Sequence, residues 1–136
     1  MTGVDPSAAQ LLAQARALLP LAAARYSGFR VAAVIEDASG GVHPGVNVES
    51  VSYGLSVCAE RNALFGAIAR GARGFRRLAV TAERVTPVLP CGACRQLLLE
   101  YAPNLVIITE GADGRPEEIP IGNLLPRAFI DLGATR

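Results

Sequence analysis

The stretch LAVTAERVTPVLPCGACRQLLLEYAPNLVIIT, residues 78–109, decides the fold. Its two ends, 78–82 and 105–109, are apolar runs of strand length, and the residues from about Gly92 to 102 between them carry a helical pattern. A strand, a helix and a strand in so short a span imply a parallel pair joined by a right-handed crossover. Open α/β sheets of this kind take ligands beyond the carboxyl ends of their strands, where the next helices begin. Cys91 and Cys94 stand at that position.

Working upstream, SVCAERNALFGAIARG (56–71) repeats the theme. Alanines and large apolar residues recur at helical spacing over about 57–70, Gly71 stands ready to end the helix, and a cysteine and a glutamate occupy its start. Before it, FRVAAVIED (29–37) reads as a buried strand, ASGG as a turn, and GVHPGVNVES (41–50) as a second strand broken by Pro44 and Gly45. The two strands make a hairpin. At the N-terminus Asp5-Pro6 fits a helix start, Leu11, Leu12, Ala15, Leu18 and Leu19 supply its apolar face, and Pro20 kinks or ends it. Downstream, EEIPIG (117–122) suits an edge strand and LLPRAF (124–129) a short helix or turn. The order αββαβαβ places the chain in the α/β class, and its 136 residues, 1–136, are read as a single domain.

Composition narrows the function. The chain is 51% hydrophobic and 18% charged, more apolar than a lone core needs, which points to a subunit interface. No apolar run approaches the ~18 residues of a membrane span, so no membrane partner is expected. The formal charge is +1, with 13 basic and 12 acidic residues intermixed, and no basic stripe interleaved with aromatics suggests nucleic acid. Three cysteines and no leader-like N-terminus argue against a secreted disulfide scaffold, which makes cytoplasmic the expected location.

All three cysteines lie in two short motifs, C-A-E-R (58–61) and P-C-G-A-C-R-Q (90–96). Any one alone would suit a buried small hydrophobe. A C-x-x-C pair also suits redox chemistry, but that leaves Cys58 and its neighbouring carboxylate without a purpose. Three thiolates at two helix starts suit zinc, because helix N-termini stabilise thiolate and zinc prefers sulfur and nitrogen. Three protein ligands rather than four describe a catalytic site whose last position is open. The single histidine, His43, is read as an exposed turn residue and not as a fourth ligand. Glu60 is then the acid–base group, although a first-turn acid favoured by the helix dipole is the plainer alternative. Three thiolates overcompensate the charge of Zn²⁺. Arg61 is assigned to hydrogen-bonding their sulfurs, whereas Arg95 is assigned to a surface ion pair, with the same sulfur contact as its alternative.

The paired motifs match the Cys₃ variant of the zinc-deaminase pattern, a short segment ending in Glu followed by P-C-x-x-C. More closely, YSGFRV (26–31), GVNVESVSYG (45–54), CAERNAL (58–64), PCGACRQ (90–96) and LLPRAF (124–129) resemble the small homotetrameric, zinc-dependent cytidine deaminases, in the same order over about 100 residues. The resemblance implies a three-layer α/β/α fold with a mixed five-stranded sheet, one Zn²⁺ per chain held by Cys58, Cys91 and Cys94, and sites completed across subunits. It also implies that Asn47 and Glu49 hold the ribose hydroxyls, Phe29 lines the base pocket, the Ala59 peptide N–H contacts the base, and Phe129 reaches a neighbouring site. Ala32, Ser50 and Pro20 depart from the usual pattern.

The activity so implied is hydrolytic deamination of cytidine and 2′-deoxycytidine to uridine and 2′-deoxyuridine in pyrimidine salvage. Water activated by zinc attacks C4 while Glu60 carries its proton to N3 and then to the leaving ammonia. Two rivals remain: a deaminase of a blasticidin-type nucleoside antibiotic, and a zinc-folded, catalytically silent binding module. Asn47 and Glu49 argue against the first and Glu60 against the second.

Overall fold

The structure, a computed structural model, describes residues 5–133. In chain order it contains α1 (Ala8–Ala17), β1 (Val31–Glu36), β2 (Val42–Val46), α2 (Ala59–Ala69), β3 (Arg77–Ala82), α3 (Gly92–Tyr101), β4 (Val106–Glu110), β5 (Pro116–Pro120) and a four-residue helix α4 (Ile121–Leu124). Short 3₁₀ turns lie at Leu19–Leu21 and Tyr53–Leu55.

The strands form one sheet in the order β2-β1-β3-β4-β5. β3 and β4 run parallel, as residues 78–109 imply, and the other three pairings are antiparallel. Successive side chains of a strand point to opposite faces. On one face Ala33, Ile35, Leu78, Val80 and Ile107 pack with Ala63, Leu64 and Ala67 of α2 and Leu98 of α3. On the other, Val34, Ala79 and Ile108 pack with Leu11, Leu12 and Ala15 of α1. Helices thus cover both faces of the mixed five-stranded sheet, giving the expected three layers. Burial on both faces also explains why the inner strands read as unbroken apolar runs rather than alternating ones.

Local chemistry differs from expectation at several points. The cap of α1 is Ser7, not Asp5: the Ser7 hydroxyl accepts from the Gln10 amide at 3.1 Å while the Gln10 side chain accepts from the Ser7 amide at 2.7 Å. This reciprocal box satisfies two otherwise orphaned donors, which Asp5 does not do. Pro20 agrees with expectation, because α1 ends at Ala17 just before it and the proline falls in the following 3₁₀ turn. Pro44 and Gly45 do not break β2, because β2 is an edge strand where a missing N–H is tolerated. His43 is not an exposed turn residue. It sits on β2 opposite Ile35, largely buried, with Nε2 2.7 Å from Asp37 Oδ2. Residues 124–129 match the expected short helix or turn: Leu124 ends α4 and the chain turns at Pro126 and Arg127.

Candidate active site

α2 and α3 both begin at one end of the sheet, and each begins with a cysteine. Cys58 is the N-cap of α2 and Cys91 the N-cap of α3, both in extended conformation and neither spending its side chain on a cap hydrogen bond. Cys94 lies one turn into α3 and is fully buried. The three sulfurs lie within 4.8 Å of one another, with Cys58 Sγ and Cys91 Sγ 3.7 Å apart. Tetrahedral Zn–S bonds of about 2.3 Å would set neighbouring sulfurs about 3.8 Å apart, so the donor set fits the metal in kind and in spacing. Hydrogen bonding to Cys94, with further help from Arg61 and Cys91, draws the Cys58 thiol down to about 5, while the same contact and burial push Cys94 up. A cation bound by these sulfurs would take the place of thiol protons.

Arg61 lies beside the sulfurs. Its Nη2 lies 3.6 Å from Cys58 Sγ, and hydrogen bonding to that sulfur raises its own affinity for its proton. Its Nε is buried without a partner among the described residues. Arg95 is neither a surface ion pair nor a thiolate donor. Nε donates to the Pro90 carbonyl at 2.7 Å and Nη1 to the Leu124 carbonyl at 3.0 Å, tying the approach to Cys91 to the last residue of α4.

Beside the sulfurs opens a cavity of about 350 Å³ lined by Phe29, Asn47, Glu49, Cys58, Ala59, Glu60 and Cys91 among others. Residues two apart on a helix ordinarily diverge, yet Cys58 and Glu60 border one space because first-turn side chains ring the helix end. Glu60 is only 3% exposed, and burial, assisted by the nearby Cys58 charge, pushes its carboxyl up to about 7. A carboxyl poised near neutrality can both take and give a proton.

The far wall is built from the segment that follows β2 and the loop before β1. Asn47 Oδ1 accepts from the Val31 amide at 2.9 Å and Nδ2 donates to the Phe29 carbonyl at 2.8 Å, so Asn47 fixes the backbone that carries Phe29. Glu49 accepts from the amides of Tyr26 and Ser27 at 3.1 and 2.9 Å and from the Ser27 hydroxyl at 2.5 Å. Chiefly the Ser27 hydroxyl holds its carboxyl below the usual range. Ser50 closes a local turn, its hydroxyl accepting from the Ser52 amide at 3.0 Å. Ala32 is wholly buried between β2 and β3.

Phe129, like Cys94 and Arg61, does not line this cavity. It is 68% exposed, and its carbonyl accepts from Gln96 Nε2 at 2.6 Å. Sequence reasoning missed Ser27, Val88 and Leu89, which also line the cavity. The serine was legible as a turn residue two before Phe29; Val88 and Leu89 carried no signal beyond proximity to Cys91. His43 lies outside the sulfur cluster, so no histidine completes it among the described residues.

The family model for the cytidine and deoxycytidylate deaminase zinc-binding region matches residues 6–110. The chain is 44% identical over 105 residues to a cytidine deaminase of Halalkalibacterium halodurans, covering 76% of this chain and 80% of that one. It resembles the crystal structure of cytidine deaminase from Burkholderia pseudomallei with a TM-score of 0.85 and 42% identity, covering 91% of this chain and all of the other. A blasticidin-S deaminase of Bacillus cereus is more distant, 28% identical over 107 residues, with 73% of this chain and 76% of that one covered.

Proposed function

The chain belongs to the cytidine and deoxycytidylate deaminase zinc-binding family, and from that premise we propose that it hydrolyses cytidine and 2′-deoxycytidine to uridine and 2′-deoxyuridine, a step of pyrimidine salvage. The observation that carries this reading is a buried carboxyl, Glu60, bordering the same cavity as Cys58 and Cys91. Zinc held by Cys58, Cys91 and Cys94, one ion per chain, supplies the Lewis acidity that makes water a nucleophile at neutral pH.

The chain's own groups do the rest. Glu60 takes a proton from the attacking water and delivers it to N3 as the new C4–O bond forms; it then takes the proton of the C4 hydroxyl and passes it to the amino group, which leaves as ammonia while the C4 carbonyl forms. One water is consumed, and the C4–N bond is exchanged for C4–O. The Ala59 peptide N–H, at the start of α2, contacts the base, and Phe29 forms its wall. Asn47 and Glu49 receive the ribose hydroxyls, which favours a plain nucleoside over a blasticidin-type antibiotic. Arg61 offsets the excess thiolate charge from its place beside Cys58.

The protein works as a homotetramer in which Phe129 enters a neighbour's cavity. Its exposure, with that of Ile130 and Leu132 beside it, supports this assignment, because a run of large apolar side chains in water is a surface awaiting cover. Three free thiols suit a reducing cytoplasm, and among the described residues no helix is long and apolar enough to cross a membrane. Purified protein should hold about one zinc per chain and convert cytidine to uridine, followed by the fall in cytidine absorbance. Metal-loaded protein that leaves cytidine unchanged would overturn the assignment.

A further inference from the structure

We propose that Ser27 is a positioning residue for nucleoside recognition, its hydroxyl fixing the Glu49 carboxylate and the Phe29 backbone as one unit that receives the sugar. The proposal rests on the assignment of Glu49 to the sugar.

The hydrogen bonds around this serine are fully determined by chemistry. Glu49 Oε1 accepts from the Tyr26 and Ser27 amides, at 3.1 and 2.9 Å. Both donors are peptide N–H groups of one short segment, so the hydroxyl is the only side-chain donor that this segment gives the carboxylate. A hydroxyl has one proton, and the Ser27 proton goes to Oε2. Its oxygen in turn accepts from the Phe29 amide at 2.9 Å, so the same atom sets the backbone of the residue forming the base wall. An ionised carboxylate offers about four acceptor positions. Three are filled by the protein, and the last belongs to Oε2, the oxygen that Ser27 orients. Glu49 can therefore accept from one sugar hydroxyl, in a direction chosen by Ser27. The charge favours this too: the contacts hold the Glu49 carboxyl below its ordinary value, keeping it an acceptor. Ser27 and Glu49 both line the cavity that holds Glu60, yet neither touches the sulfur cluster.

The test compares Ser27→Ala, Ser27→Thr and Glu49→Gln in the zinc-loaded enzyme, each with cytidine and with 2′,3′-dideoxycytidine, which lacks the ring hydroxyls. Ser27→Ala should raise KM for cytidine about fivefold or more, as expected for a charge-assisted hydrogen bond lost near solvent, with kcat within about twofold. KM for the dideoxynucleoside, which loses only the support of the Phe29 backbone, should rise distinctly less, and Ser27→Thr, which keeps the hydroxyl, should restore most of the difference. Glu49→Gln should likewise narrow the preference for cytidine. If Glu49→Gln leaves that preference intact, the sugar assignment of Glu49 falls and this proposal with it. If Glu49→Gln narrows the preference but Ser27→Ala raises KM equally for both substrates, or for neither, only the role of Ser27 is overturned. Zinc content and thermal midpoint, measured on each variant, identify a variant that has failed to fold; in that event Ser27→Thr against wild type decides, and a threonine variant with lost cytidine preference overturns the proposal.

Discussion

Gly45 of β2 and Ala59 of α2 touch through their backbones. A Cβ built at position 45 would overlap the Ala59 carbonyl oxygen and the Ala63 amide nitrogen and stand 2.8 Å from Ala63 Cα. Only glycine lets the helix that starts at Cys58 lie this close to the edge strand, and Asn62 secures the approach by donating to the Val46 carbonyl at 2.8 Å. The edge of the sheet thereby sets where Cys58 and Glu60 stand.

Gly45→Ala should consequently damage fold and metal site together. The obstacles are backbone atoms, which cannot swing aside, so the cost should reach or exceed the ~1–3 kcal/mol usual for overpacking. A lowered denaturation midpoint together with reduced zinc content is the expected result. An alanine variant with wild-type stability would show that α2 does not need this contact.

Glu60→Gln preserves shape and removes the proton carrier. Loss of general acid–base transfer should lower kcat by about 10²–10⁴-fold, with zinc content and fold unchanged. Near-normal turnover in the glutamine variant, zinc still bound, would disprove the acid–base role.

Arg61→Gln tests the balance of charge at the sulfurs. Removing a group that hydrogen-bonds a metal ligand typically costs 10–100-fold in affinity. Competition with a chromogenic chelator should show zinc lost at correspondingly lower chelator concentration. Equal retention by variant and wild type would place Arg61 outside the metal's surroundings.

These predictions draw on two kinds of information, and only one was legible in the sequence. The sheet and its parallel pair were legible because strand and helix periods are local. The sulfur cluster was legible because zinc chemistry needs ligands that announce themselves, at helix starts that residues 56–71 and 91–102 declare. Phe29, Asn47 and Glu49 carried no chemical signature of their own, and a family resemblance alone singled them out. What stayed hidden depends on partners distant in the chain. Arg95 ends on the carbonyls of Pro90 and Leu124 because folding brings both within reach of one guanidinium, and no spacing rule encodes that. In the sequence His43 reads as an exposed turn residue, whereas the hairpin register sets it opposite Ile35, with its ring turned to Asp37. At Ser7 the error was local: Asp-Pro is a strong start signal, but Ser-x-x-Gln two residues later satisfies more donors.

Asp37 carries the last prediction. Its Oδ1 accepts from the Ser39 hydroxyl at 2.6 Å and from the Ser39 and Gly41 amides at 2.8 and 3.0 Å, while Oδ2 meets His43. Arg76, from the start of the β3 region, reaches the Asp37 main-chain carbonyl at 3.2 Å rather than its carboxylate. His43 foremost, then Ser39, holds the Asp37 carboxyl well below its ordinary value of 3.8. Between that ordinary value and the depressed one, the unfolded chain binds a proton that the folded chain refuses, so stability rises with pH across this window. The contribution is complete above the ordinary value and is lost as pH falls through the folded one. Asp37→Asn should lower the urea midpoint at pH 7, and its deficit against wild type should shrink on acidification below about pH 4. Urea titrations at several pH values from 2 to 7 check this. A deficit that stays constant to the acid limit would mean that the side chain's shape, not its charge, holds the β1–β2 turn.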